Sequence, residues 1–219
     1  MKKEINLLEK LPKSKRNIKE RGLKKSNEVI LKSREYGFDY FDGLRDYGYG
    51  GFKYDGRWLP VAKDIVDYFG LKSGNKVLDV GCAKGFLVKD LMIVCPGLEV
   101  FGVDVSNYAL MHCEPEVIGR LHLGSAESLP FPDGAFDAVI SINTIHNLEK
   151  QLVIQALKEI ERLAPGKGYV QVDSYRTEEE RLLFEDWVLT AKYYGYPHEW
   201  LETFQLSGYT GDYYWTIVE

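Results

Sequence analysis

A doubly wound α/β fold, with a mostly parallel sheet of six to seven strands and helices on both faces, follows from three observations. From Lys76 onward, short apolar runs of the buried-strand type alternate with amphipathic helical stretches. One of those runs, "KVLDVG", passes through a glycine turn straight into a helix. The chain has 219 residues, enough for one such domain with a sizeable core and short for two. Ligands of open sheets of this class sit beyond the C-terminal ends of the strands.

The elements follow in order. Residues 1–34 form a basic arm, with "SNEVILKS" its best helical piece. Residues 35–75 hold a Gly/Tyr-rich lid and a helix, "LPVAKDIVDYFGL", in which Pro60 lies near the first turn and Gly70 is the stop. The sheet domain is 76–219. "KVLDVG" is its first strand and "GFLVKDLMIV" its first helix, ended by Pro96-Gly97. "LEVFGVDVS" is the second strand, with a helix from Asn107 to about His112, and "RLHLGSA" is the third. "AFDAVISIN" is the fourth, behind the turn "PDG". "EKQLVIQALKEIERLA" is a helix broken by Pro165-Gly166, and "GYVQVDSY" is the fifth strand. "TEEERLLFEDWVLTAKYYG" reads as one long helix, with Thr177 and Glu180 at capping-box spacing. A helix around "PHEWLETFQLSGY" and a last strand, "YYWTIVE", complete the pattern.

Composition bounds the function. With 45% hydrophobic and 28% charged residues and no run of eighteen apolar residues, the chain reads as soluble, with no membrane span. Cys82, Cys95 and Cys113 make no CxxC pair and no His/Cys cluster, which points to reduced thiols in a cytoplasmic protein and to no metal site. Residues 1–34 hold twelve Lys/Arg and four Glu, a net of +8; the whole chain carries −5, so the remainder carries −13. Such an arm suits a solvated element packed on its own acidic body or on another subunit. It also raises nucleic acid as a partner, although the body has no basic stripe.

"VLDVGCAKGFLVKDL" is the most informative line. A buried strand ends in Asp79, and the turn Gly81-Cys82-Ala83-Lys84-Gly85 opens into a helix whose N-terminus offers unpaired N–H groups. The dinucleotide pattern G-x-G-x-x-G would need glycine at Phe86, so that reading fails.

The line resembles the first motif of class I S-adenosylmethionine-dependent methyltransferases, an acid followed by G-x-G-x-G, with Ala83 in place of the middle glycine. "VFGVDVS" resembles the family's second strand, and "GSAESLPFPDGAFDAVIS" its third-strand exit and fourth strand, as in the small-molecule branch related to ubiquinone and sterol methyltransferases. The resemblance covers roughly 76–174 and implies S-adenosylmethionine as cofactor. It implies that Asp104 takes the ribose hydroxyls and that Asp79 orients the loop or the methionine ammonium. Gly81, Ala83 and Gly85 would let backbone approach the ligand. Ser125, Ala126 and Glu127 would meet adenine, with Val105 and Ser141 completing the set. The family usually ends in an antiparallel strand pair, whereas this chain has one final strand, so six strands or a very short seventh are expected.

Methyl transfer from a sulfonium rests on alignment in a dry pocket, with acid–base help only where the acceptor must lose a proton. In the resembling family the fourth strand's exit faces the acceptor. His146 is therefore a candidate base with Asn143 beside it, although His146 and Asn147 also suit a structural cap. Asn147, Tyr175 and Arg176 are candidate acceptor contacts, Arg176 having Glu179 and Glu180 as alternative partners. Residues 36–58 hold nine aromatics and six glycines, too many rings for a disordered segment and enough hinges for a lid. Tyr47 and Tyr49 are expected at the acceptor, and Tyr54 and Arg57 at the cofactor, Arg57 holding the methionine carboxylate. The expected partner is a small-molecule acceptor methylated on oxygen or nitrogen, in a monomer or homodimer. Two alternatives stand beside it: a nucleic-acid methyltransferase using the basic arm, and a binding module that keeps the fold without turnover.

Overall fold

The computed structural model describes residues 2–12 and 17–218. Six strands form: β1 (Lys76–Val80), β2 (Glu99–Asp104), β3 (Leu121–Leu123), β4 (Ala138–Ile142), β5 (Gly168–Asp173) and β6 (Asp212–Thr216). They make one sheet in the order β3-β2-β1-β4-β5-β6, and every pairing is parallel. The order reverses between β1 and β4, the crevice where doubly wound sheets hold ligands.

Side chains alternate across β1. Leu78 and Val80 face one core with α7 (Lys150–Leu163) and α9 (Pro197–Ser207), and Val77 faces the other with α4 (Leu59–Phe69) and α5 (Phe86–Val94). The remaining helices are α1 (Ile18–Lys24), α2 (Asn27–Ser33), α3 (Phe38–Phe41), α6 (Asn107–Met111) and α8 (Glu178–Trp187). Ends fall where side chains serve them: Ser26 caps α2, Ser106 caps α6, Thr177 caps α8, and Gly70 closes α4 in the left-handed region.

Two expectations change. The helix expected through "VLTAKYYG" stops at Trp187, and Val188 turns extended. The following segment finds tertiary partners instead: Lys192 and Tyr193 N–H donate to the His146 carbonyl, and Gly195 bridges Ser174. The extra edge pairing of the sheet comes from the N-terminus. Ile5 N–H donates to Tyr213 O and Tyr213 N–H to Lys3 O, so the arm's first residues run parallel to β6, and Leu7 is buried. Among the described residues no helix is long and apolar enough to cross a membrane.

Candidate active site

The strand ends on either side of the order reversal touch. Gly81 follows β1 at φ +86, and a Cβ there would lie 1.9 Å from Thr144 Oγ1, which belongs to the exit of β4. Ala83 also adopts a left-handed conformation, φ +49, costly for a residue with a Cβ. Its N–H thereby donates to Asp104 Oδ2 at 2.8 Å, while Ser106 N–H donates to Oδ1 at 2.8 Å. The last side chain of β2 is thus fixed between the glycine loop and the start of α6. Ser106 Oγ accepts from Ala109 N–H as the helix cap, which leaves Asp104 free of that duty.

These groups border a narrow groove of about 40 Å³, lined by Val80, Gly81, Val103, Asp104, Val105, Gly124, Ala126 and Thr144. Its charge is one-sided. Burial, and then the Asp104 carboxylate, push Asp79 up to about 7. Burial also raises Asp104, against the pull of the Ser106 and Ala83 N–H groups. A cation entering here would relieve both carboxylates. Beside the groove Ser125 Oγ donates to Glu127, which ties the hydroxyl expected at adenine. Ser141 is fully buried, and its Oγ has no hydrogen-bond partner among the described residues.

At the exits of β4 and β5, Asp173 stands out. His146 is buried, its Nδ1 accepts the Asp173 N–H at 3.0 Å, and its Nε2 lies 3.5 Å from the Asp173 carboxylate. Burial holds the imidazole below its usual range despite that carboxylate, so it is neutral at pH 7. Both ring nitrogens therefore lie against one residue, Asp173, through its N–H and its carboxylate. Asn143, at φ +51, is exposed, and its Oδ1 accepts from Thr216 Oγ1 at 2.7 Å. Gln171 Nε2 in turn donates to Thr216. Asn147 places its Nδ2 3.5 Å from the Asn143 carbonyl, and its buried Oδ1 has no partner among the described residues. Tyr175 belongs to a separate aromatic cluster with Phe184, Tyr194 and Tyr196. Arg176 pairs with Glu180 at 2.7 Å, the alternative its neighbours suggested.

Residues 78–172 match the family described as a methyltransferase domain. The match runs from within β1 to within β5, so the sheet region is similar to that domain. Among curated relatives, the demethylmenaquinone methyltransferase of Symbiobacterium thermophilum is 31% identical over 128 residues, covering 54% of this chain and 50% of the relative. The probable tRNA methyltransferase 9B of Mus musculus is 35% identical over 131 residues, covering 58% of this chain and 27% of the relative. The chain therefore matches half or less of the length of these two relatives. Among solved structures, the Haloferax volcanii complex of the Trm112 methyltransferase activator with a putative methyltransferase superposes with a TM-score of 0.58 at 20% identity, covering 84% of this chain and 77% of that one. The [4+2]-cyclase SpnF superposes with 0.55 at 22% identity, over 68% of this chain and 56% of that one. A cyclase on the same fold shows that architecture alone does not fix the reaction.

The Gly/Tyr segment lies outside the matched residues 78–172, yet it is tied to the glycine loop. Lys84, buried within that loop, reaches Asp42 at 2.6 Å and the Phe52 carbonyl at 2.9 Å. Asp42 also accepts from Tyr108 OH at 2.7 Å and from Phe52 N–H at 3.1 Å. Phe52 stacks on Phe86, the first residue of α5, with centroids 4.6 Å apart. Sequence reasoning missed Lys84 and Asp42; the one signal was a lysine inside a glycine turn. The ring of Tyr49 packs on Tyr40, Phe41 and Phe52. Tyr36 joins it there, its carbonyl accepting from Ser106 Oγ at 2.6 Å. Tyr47 is half-buried in the turn that follows Leu44. Tyr54 and Arg57 are drawn elsewhere. Tyr54 OH donates to Asp90 on α5, and Arg57 is exposed with its guanidinium on Asp55 at 2.6 Å. The local Asp55 partner takes the cation expected at the methionine carboxylate.

Proposed function

We propose that this methyltransferase domain uses S-adenosylmethionine to methylate an oxygen or nitrogen of a small-molecule acceptor. The observation that carries the reading is Asp104, a carboxylate at a strand end whose two oxygens are each held by one N–H and which borders the groove. Its remaining lone pairs suit a ribose diol. The residues present fit the ligand. The missing Cβ of Gly81 lets the loop after β1 lie against Thr144, and both residues line the groove. The buried Asp79 answers an ammonium or sulfonium charge, and Val105 and Ala126 give the groove apolar lining. S-adenosylmethionine supplies a methyl group already bonded to a positively charged leaving sulfur.

The chain's own task is alignment, exclusion of water and disposal of one proton. Tyr49 and Asn143 lie on the acceptor side, and the Asp173 carboxylate, backed by His146 Nε2, is the atom group that takes the acceptor's proton. Relatives named for quinone substrates favour a small molecule, and those named for tRNA favour RNA. The acidic body weighs toward the first, because its carboxylates already meet cations of the arm: Lys10 pairs with Asp64, Lys24 with Asp46, and Lys32 with Asp39.

Titration calorimetry with S-adenosylmethionine and S-adenosylhomocysteine tests the cofactor. Binding in the micromolar range is expected, weakened at least about tenfold in Asp104→Ala, as for loss of a charge-assisted hydrogen-bond pair. No binding at millimolar ligand would sink the reading. Release of S-adenosylhomocysteine is then followed with metabolite pools and with tRNA, and turnover with tRNA alone would transfer the assignment to RNA.

A further inference from the structure

The groove at the strand ends measures about 40 Å³, whereas ordinary small-molecule pockets run about 300–1,000 Å³. A ligand carrying both a nucleoside and an amino acid therefore needs a wall to move. The strand side cannot yield, since its lining is backbone held in the sheet and buried core. The aromatic segment 36–52 adjoins this edge, its Tyr36 carbonyl accepting from Ser106 Oγ at 2.6 Å, two residues after Asp104. Its rings pack mainly on one another: Tyr40 on Tyr36, Phe41 and Tyr49, and Phe52 on Tyr49 and Phe41. Gly48 shows how tight this unit is, because a Cβ there would come within 2.1 Å of the Tyr40 carbonyl. Such a unit can shift as one body.

What joins it to the glycine loop is a single polar clasp. Asp42, at the end of α3, gathers Lys84 from the loop, Tyr108 from α6 and the N–H of Phe52 from the far side of the aromatic unit. Lys84 completes the ring of contacts by donating to the Phe52 carbonyl. Lys84 is 6% exposed, so its ammonium has exchanged water for these partners. Loss of one partner strands a largely buried charge.

We propose that Lys84 and Asp42 are positioning residues that couple closure of segment 36–52 to the conformation of the ligand-binding loop, so that cofactor capture and completion of the acceptor pocket are one event. Neither touches the reacting atoms. Lys84 lies between Ala83, whose N–H holds Asp104, and Gly85, which opens α5; a pull on its side chain is therefore a pull on the loop. Opening the clasp frees the lid while leaving the sheet intact, and the closed clasp traps whatever lies between. The kinetic part of this inference rests on the cofactor reading above; the mechanical part does not.

The test uses the full chain and four variants: Lys84→Met, Asp42→Asn, the double variant, and Tyr108→Phe, which removes one contact from Asp42. Without ligand, timed trypsin digestion followed by mass spectrometry should show cleavage after Arg45, Lys53 and Arg57 at least tenfold faster in Lys84→Met and Asp42→Asn than in wild type. Sites in the sheet domain should be cut at the wild-type rate. With S-adenosylhomocysteine, stopped-flow tryptophan and tyrosine fluorescence should show a dissociation rate at least tenfold higher and an association rate equal or higher. The double variant should be no worse than the worse single one, because both break the same clasp. A merely structural role would speed cleavage throughout and slow association. That result, or unchanged cleavage and unchanged dissociation, overturns the proposal. Should Lys84→Met fail to fold, Tyr108→Phe carries the same test with a smaller, same-signed change. If S-adenosylhomocysteine fails to bind wild type, the cofactor reading falls, and the digestion alone decides the clasp.

Discussion

The edge of the sheet and the aromatic segment meet at Ser106, the start of α6, but they are held in different ways. At the sheet edge, each element is fixed by neighbours that the fold must supply. Gly81 abuts Thr144 because β1 and β4 are adjacent, and Ala83 meets Asp104 because β1 and β2 are. Segment 36–52 is held by ring contacts within itself, the stack of Phe52 on Phe86, hydrogen bonds from Ser106 and Arg21 to its carbonyls, and the clasp at Asp42. A parallel sheet buried on both faces leaves its strand ends little freedom, so it suits a preformed ligand edge. A small aromatic unit on few tethers suits the part that must move.

The strongest way to break this contrast is Gly81→Ala. Ala83 shows that the loop tolerates a Cβ at positive φ, a strain of roughly 1–3 kcal/mol, so conformation alone would not ruin the variant. The collision with Thr144, 1.9 Å from the added carbon, is what separates the two strand ends. Loss of cofactor affinity of about a hundredfold or more is expected, with a lowered melting temperature, read by calorimetry and thermal denaturation. Gly51→Ala is the matching change in the aromatic segment. Gly51 has φ +104 and no atom within 4 Å of its added carbon, so only the strain remains and the binding edge should be spared.

The next effect is electrostatic and belongs to the sheet edge alone. Burial raises Asp79 from the ordinary carboxylate range to about 7, so the folded state holds a proton that the unfolded chain releases. Between about pH 4 and pH 7 the unfolded state binds fewer protons, and stability contributed by this group falls as pH rises. A cationic ligand reverses the preference, because it favours the carboxylate and expels the proton. Affinity for S-adenosylmethionine should therefore rise with pH, with binding roughly tenfold weaker at pH 6 than at pH 8. Calorimetry in buffers of different ionisation enthalpy should register proton release near neutrality. Asp79→Asn should flatten both the stability slope and the affinity profile; an unchanged slope would show that Asp79 is ionised throughout.

The same contrast explains what could be read from the sequence. The six strands, the glycine loop and Asp104 were legible because period, glycine placement and strand-end acids are local signals that the sheet then obeys. Helix α8 was overread because acidic capping and good helix formers carry past Trp187 without a local stop. The chain leaves the helix there, and the N–H groups of Lys192 and Tyr193 find the His146 carbonyl instead. His146 itself was legible as a position but its partners were not, since its two nitrogens meet the backbone and side chain of Asp173 on another strand. Lys84 and Asp42 lie 42 residues apart in the chain, and no spacing rule connects them.

Arg57 gives the smallest expected effect and the sharpest check on where the aromatic segment ends as a functional unit. Of the cations that precede α4, it is the nearest in sequence to the glycine loop and so the expected partner for a ligand carboxylate. In the structure its Nε and Nη2 meet both oxygens of Asp55 two residues earlier, and the pair is exposed. An exposed ion pair of this kind contributes about 0–1 kcal/mol at most. Arg57→Ala should then leave the affinity for S-adenosylhomocysteine within about twofold of wild type and the melting temperature nearly unchanged. A several-fold loss would mean that Arg57 leaves Asp55 when ligand binds. The lid would then extend past Phe52 to the start of α4, and the clasp at Lys84 would be only one of two tethers that closure must set.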